Sequence, residues 1–322
     1  MKTNIKVLCM TGLTLAGIFS TAGCRKDNPA MPPPSATSIT YASLSDFFSR
    51  NGVQSQTFNL DAGTGGTVNG AKGTAISFPD HAFVTKSNVP VTGTVNVELK
   101  EILTKKDMLL SNRPTVYFGN PLVSGGEYYL RVTQNGQELK LAPGKRTNAS
   151  IPTDSNLKGM MAFYGVLDSI GHPGWAYADS SSYYAPASNP VTIASNNYRN
   201  FLACDSMNWV NCDQFPDASA TWTSLQVRIS NMGSLAPAQT SVFIYYDTHN
   251  CIFPLYSIGG TGYMTSECWF GQRVHIIVIG LDLNGKVYSS IQSVTVAANL
   301  VVTATVVPTT AAAVVAQIAA LP

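Results

Sequence analysis

The chain predicts an all-β protein: two β-sandwich units in tandem, closed by a short C-terminal helix. Three observations carry this expectation. Apolar residues recur with period two, as in Thr94-Val95-Asn96-Val97-Glu98-Leu99-Lys100, which puts apolar side chains on one face of a strand and polar ones on the other. Asn-Gly pairs, the strongest two-residue hairpin signal, fall between such runs at Asn135-Gly136 and Asn284-Gly285. Turn and sheet formers are plentiful, with 26 Gly, 18 Pro, 14 Tyr and 13 Phe against only 12% charged residues, the balance of an exported β-rich body.

Residues 1–23 read as a secretory signal: Lys2 and Lys6, an apolar stretch from Val7 to Phe19, then Ser20-Thr21-Ala22-Gly23. The apolar stretch is shorter than the ~20 residues of a spanning helix. Cys24 follows at once. This arrangement resembles the bacterial lipobox, with Thr21 where Leu is usual. The resemblance implies that the Cys24 thiol receives diacylglycerol, that the peptide is cut before it, and that the new amino group is acylated, for instance with palmitate. Two or three chains anchor stably where one binds reversibly, at ~0.8 kcal/mol per buried CH₂.

Residues 24–40 form a tether. Arg25-Lys26-Asp27-Asn28 precedes Pro29-Ala30-Met31-Pro32-Pro33-Pro34, and proline at that density extends the chain by ~3.1 Å per residue. The Cys-Arg-Lys-Asp start resembles those of Bacteroidota lipoproteins, where short charged runs accompany export to the outer face. A solvated tether explains the four residues equally well. The expected location is the outer membrane, lipid-anchored and at the cell surface, with the periplasmic face as the alternative.

The first Ig-like sandwich is assigned to 41–157. It opens with a helix through Leu44–Ser49 stopped by Gly52 and includes strands at Thr94–Lys100 and Glu127–Val132. An aromatic connector is assigned to 158–217, with a strand at Lys158–Val166. The second sandwich, 218–307, carries strands at Thr223–Ile229, Val242–Tyr246, Val274–Leu281 and Lys286–Val296, and alternation at Val302–Val306. No charged residue occurs from Val294 to Pro322, but Pro308 interrupts before a spanning helix can form. Residues 308–322 therefore read as a packing helix.

Gly65-Gly66-Thr67-Val68, Gly73-Thr74-Ala75-Ile76-Ser77-Phe78-Pro79, Ala82-Phe83, Gly93-Thr94 to Leu99, and Gly125-Gly126-Glu127-Tyr128-Tyr129 together resemble the β-sandwich domain shared by zona-occludens proteins, netrin receptors and ankyrins, over about residues 54–152. Some of that family cut their own backbone at a His-Phe-Ser segment. Here His81-Ala82-Phe83-Val84 offers no serine, so self-cleavage is not implied. Met108 to Asn112, Leu122 to Gly126 and Trp209 to Asp213 are similar to stretches of uncharacterised Bacteroidota lipoproteins, a likeness that implies no activity.

Charge excludes one class of partner. Of 20 Lys and Arg, Lys2 and Lys6 leave with the signal, so 18 face 18 Asp and Glu; no basic stripe suggests nucleic acid. Four cysteines remain after Cys9 and Cys24: Cys204, Cys212, Cys251 and Cys268. In an oxidising compartment they suggest two disulfides with three connectivities, Cys204–Cys212 and Cys251–Cys268 being favoured because each closes a short loop. Their spacing matches no zinc motif.

Asp205-Ser206-Met207-Asn208-Trp209-Val210-Asn211-Cys212-Asp213 with Asp217 offers oxygens for calcium, against the plainer reading of a disulfide-closed loop around Trp209. Trp175, Tyr183, Tyr184 and Trp209 are the candidate ligand-contact aromatics, against filling of the core. No catalytic, metal or cofactor residue is assigned. The five glutamates (Glu98, Glu101, Glu127, Glu138, Glu267) and four histidines (His81, His172, His249, His275) form no acid–base motif, and Glu98 and Glu101 should lie on opposite strand faces. Asp247 with His249 offers an acid beside a base, against the plainer reading that short polar turns produce such neighbours by chance, and His275 reads as a satisfied strand residue. The expected function is a non-catalytic envelope module, structural or interacting. Glycan capture by the connector aromatics is the alternative, and a hydrolase the third reading.

Overall fold

Period-two alternation becomes a sandwich because each strand must bury its apolar side. Along Thr94–Ile102, Val95, Val97 and Leu99 are buried while Asn96, Glu98 and Lys100 are not. The computed structural model describes residues 39–152, 159–178, 191–193, 198–204 and 207–322, and Ser38–Pro322 clusters as one compact unit. The fold is all-β, with three short α-helices among the described residues.

The first sheet runs in the order Gln56–Asp61, Thr94–Ile102, Val123–Gln134, Trp209–Gln214, Met161–Leu167 and Pro173–Tyr177, antiparallel throughout. The second runs Val191–Ile193, Tyr198–Cys204, Thr147–Pro152, Ala75–Phe78 and Gly66–Asn69. Between them lies a core that includes Val97, Leu99, Leu130 and Val132 from the first sheet and Ile76, Phe78 and Ile151 from the second. Each such side chain contributes about 1.5–3 kcal/mol of transfer free energy.

The third sheet has the order Leu300–Ala304, Trp222–Ile229, Gly262–Trp269, Ile252–Gly259, Thr240–Tyr246, Arg273–Leu281, Val287–Thr295 and Val307–Pro308. Leu300–Ala304 lies parallel to Trp222–Ile229. The sheet closes on a core of its own, in which Leu225 and Val227 meet Val242, Ile244, Ile276 and Val278. Thr240–Tyr246 is buried on both faces. Val242, Ile244 and Tyr246 face this core, and Phe243 and Tyr245 face a third cluster. That is why the segment is a continuous apolar run with no visible alternation.

The third cluster packs the helices against the third sheet. α1 (Leu44–Asn51) is capped by Ser43, whose Oγ accepts from Asp46 N, and ends at Gly52 as the sequence predicts. α2 (Lys105–Leu110) is capped by Thr104, and α3 (Ala311–Ala319) by Thr310. Phe47 and Phe48 of α1, Met108 and Leu109 of α2, and Val314 and Ile318 of α3 pack with Phe243, Tyr245, Ile277 and Ile279. Lys106 Nζ donates to Ala319 O at 2.7 Å, at the negative end of α3. No helix of the described residues is long and apolar enough to cross a membrane.

Three differences from the sequence reading stand out. Segment 158–217, expected as a connector, supplies strands Met161–Leu167, Pro173–Tyr177 and Trp209–Gln214 to the first sheet and Val191–Ile193 and Tyr198–Cys204 to the second. The stretch around Trp209, expected as a loop, is a strand in the interior of its sheet. α2 was not expected, its start set by the Thr104 hydroxyl accepting from Asp107 N.

Candidate functional site

The chemistry-bearing residues gather where Asn250–Ile252, the segment opening one strand of the third sheet, meets the first sandwich. Ser124 N donates to Asn250 O at 2.9 Å and Asn250 Nδ2 donates back to Ser124 O at 2.8 Å. Thr115 N donates to Ile252 O at 2.9 Å, and Ile252 N to Thr115 Oγ1 at 3.0 Å. These bonds satisfy strand-edge groups that burial would otherwise leave unpaired.

Behind this seam lies a buried polar relay. Gly126 N donates to Ser124 Oγ at 3.0 Å, Ser124 Oγ to Asn211 Oδ1 at 2.9 Å, and Asn211 Nδ2 to Asp213 Oδ2 at 2.6 Å. Asn211 and Asp213 alternate with Val210 and Cys212, which face the first core, so the polar pair faces away from it. Glu127 stands opposite Asn211. It is 0% exposed, and its two carboxyl oxygens accept no hydrogen bond from the described residues. Burial, reinforced by the nearby charge of Asp213, pushes the Glu127 carboxyl well above its ordinary range, and Arg113 opposes this only in part. Burial likewise lowers Arg113 to about 10, while its guanidinium lies 3.8 Å over the Trp209 ring.

His249 sits between two clefts. One, of about 720 Å³, is lined by Thr104, Lys105, Ser124, Tyr245, His249 and Asn250, among others. Lys105 Nζ donates there to Tyr246 O and Asp247 O at 2.6 and 2.7 Å and lies 4.6 Å from the Tyr245 ring centre. Burial brings its ammonium down to about 8. The other cleft, of about 400 Å³, has Gln214, Asp217, His249, Trp269, Phe270 and Gln272 in its walls. Burial, then the charge of Lys105, lowers the His249 imidazole below its ordinary value.

The residues expected from sequence are dispersed. Cys24, Tyr183 and Tyr184 lie outside the described residues, as does Asp205. Trp175 is 1% exposed and donates from Nε1 to Pro114 O at 2.9 Å, so it is a core residue. Trp209 is half-buried between Arg113 and the Tyr129 ring, 4.9 Å away, and Gly165 leaves the room its Cβ needs. Neither offers an open ring face to a ligand.

The disulfide expectation is corrected: Cys204, Cys212, Cys251 and Cys268 are buried thiols. Cys204 and Cys212 belong to strands of opposite sheets. The sulfurs meet hydroxyls instead, Cys204 with Tyr128 at 3.7 Å, Cys251 with Thr115 at 3.4 Å and Cys268 with Tyr246 at 3.5 Å. Short sequence separation fixes a small loop but not the direction of the side chains.

The calcium alternative over Asp205–Asp217 finds its described acids apart: Asp213 is buried in a strand, and Asp217 is exposed and accepts from Ser219 N at 2.8 Å. No group of three His, Cys, Asp or Glu among the described residues is placed to hold a metal ion. Asp247 pairs with His275 Nδ1 at 2.8 Å and Arg273 Nε at 3.3 Å, and the His249 ring lies tilted against Trp269 with centres 4.8 Å apart. His275 is thus a satisfied strand residue, as expected.

Glu98 and Glu101 do lie on opposite faces. Glu98 pairs with Arg131 at 2.8 Å, and Glu101 accepts from Gln56 Nε2, Lys72 N and Thr74 N. Burial alone would raise the Glu101 carboxyl, but these donors together hold it below its ordinary value. The cleft around Trp269 went unseen in the sequence because its walls come from residues far apart in the chain. No protein-family model matches the chain, and no curated protein is similar to it.

Proposed function

We propose that the protein is a non-catalytic, lipid-anchored envelope module that works by binding or by supporting other envelope components at the outer surface. The observation that carries this reading is the order of the N-terminus: charged start, short apolar core, small residues, Cys24 and a proline-rich tether. The described body adds support. Its acid–base neighbours serve structure, Asp247 holding His275 and Arg273, and Glu101 holding the Gly70–Thr74 turn. The hydrolase reading asked for two carboxylates facing each other across a cleft, or for His249 beside Asp247 and a hydroxyl; Glu127 and Asp213 are fully buried, and Asp247 is engaged by His275 and Arg273. Glycan capture by the 158–217 aromatics is disfavoured by the burial of Trp175 and the stacking of Trp209.

Protease shaving of intact cells, with mass spectrometry of peptides from residues 160–217, tests the reading. Release of those peptides is expected for surface display. Their full protection, with the protein still in the outer-membrane fraction, would turn the module to the periplasmic face.

A further inference from the structure

We infer that the cleft between Gln214 and Trp269 binds a neutral saccharide. This deepens the reading of the chain as a non-catalytic interaction module, on which it rests, and moves the ligand site to Gln214, Trp269 and Phe270, which the sequence did not single out. Two unpartnered groups point to a ligand. Trp269 Nε1, a donor, and Gln214 Oε1, an acceptor, are both buried and have no hydrogen-bond partner among the described residues. Both residues line the same cleft of about 400 Å³, and unpaired buried polar groups are costly unless a ligand satisfies them.

The walls narrow the ligand's chemistry. Phe270, 50% exposed, lines the cleft beside Trp269, whose ring lies tilted 5.5 Å from that of Trp222, a residue outside the lining. The His249 ring, which also lines the cleft, lies tilted against Trp269 with centres 4.8 Å apart. Aromatic faces of this kind suit an apolar C–H surface. No Lys or Arg lines the cleft, and Asp217 is its one carboxylate, exposed and engaged with Ser219. His249 is held towards its neutral form. A charged ligand therefore finds no opposing anchor except at the exposed Asp217.

A hydroxyl group donates and accepts at once. Neighbouring hydroxyls on a ring with a C–H face match the unpaired acceptor, the unpaired donor and the aromatic wall together. The volume lies within the range of small-ligand sites.

The test is calorimetric titration of the purified full chain in detergent with maltotriose, cellotriose and chitotriose, with a neutral tripeptide as comparison and tryptophan fluorescence as a second readout. Saturable binding of at least one trisaccharide is expected, with a change in tryptophan emission. Phe270→Ala and Gln214→Leu should each weaken it at least about tenfold, which is about 1.4 kcal/mol, while their circular dichroism and melting stay close to wild type. Gln214→Glu, which keeps the acceptor, should retain more affinity than Gln214→Leu. No heat or fluorescence change with any trisaccharide, binding unaffected by both variants, or binding of the tripeptide alone would overturn the inference. None of these results touches the anchoring at Cys24, and a chain found without lipid would leave the titration unaffected.

Discussion

Glu127 and Asn211 stand opposite each other on paired antiparallel strands, on the side of the first sheet turned away from its own core. Asn211 is held at both ends by Ser124 and Asp213. Glu127 has only the charges of Asp213, Arg113 and, more weakly, Asp107 around it. Two acids and one base enclosed in low dielectric leave an excess negative charge, and a proton on Glu127 removes it.

The pH dependence follows with a definite sign. The folded Glu127 carboxyl is raised above its unfolded value of about 4.5. Its contribution is therefore fully present below that value and is lost as pH rises towards the folded one. Urea unfolding at pH 5, 6, 7 and 8 should show stability falling with pH, with a slope of up to about 1.4 kcal/mol per pH unit from this group. Glu127→Gln should flatten the slope and be the more stable form at pH 8. A wild-type stability that rises over this window, with no difference in the variant, would contradict the assignment.

Asn211→Ala removes the middle of the relay. Each partner left buried without a hydrogen bond costs roughly 1–3 kcal/mol, so denaturant midpoints should drop clearly. Glu98→Ala breaks a cross-strand pair with Arg131 that is partly open to water, and should cost less than about 1 kcal/mol. Equal losses in the two variants would mean the relay is not a buried network.

The four thiols should be silent in the folded protein. Burial pushes Cys251 up to about 12 and Cys268 to about 11, so little thiolate exists at neutral pH. Iodoacetamide at pH 8 should leave Cys204, Cys212, Cys251 and Cys268 unmodified in the native chain. Unfolding without reductant should expose all four to alkylation. Two pairs that resist alkylation until a reductant is added would restore the disulfides expected from spacing.

Gly285, in the turn between two strands of the third sheet, holds Tyr41 just ahead of α1. Tyr41 N donates to Gly285 O at 2.9 Å, Gly285 has φ +74°, and a Cβ there would run into the Tyr41 carbonyl oxygen. Gly285→Ala should destabilise the protein by about 1–3 kcal/mol and loosen the start of α1, detectable as faster amide exchange at Tyr41–Phe48. Unchanged exchange would show that the Gly285 contact does not hold the start of α1.

How much was legible in the chain depends on which face of a strand meets water. Thr94–Lys100 alternates visibly because Asn96, Glu98 and Lys100 stay partly exposed, and α1 announces itself through Gly52 at its end, while its Ser43 cap went unread. Trp209–Gln214 does not: Asn211 and Asp213 look like loop residues, yet they are buried against another part of the fold. Cysteine spacing suggested loops where the sulfurs point into cores. The cleft at Trp269 needs Gln214, His249 and Gln272 brought together from separate strands and turns, which no local pattern records.

The most direct measurement is metabolic labelling with an alkyne fatty acid, followed by membrane fractionation of wild type and Cys24→Ser. Lipid anchoring requires label on the N-terminal Cys24 peptide and sedimentation with the outer membrane, both lost in Cys24→Ser. An unlabelled wild-type chain, cut elsewhere or recovered in the soluble fraction, would contradict the proposal that this β-protein works from a lipid anchor.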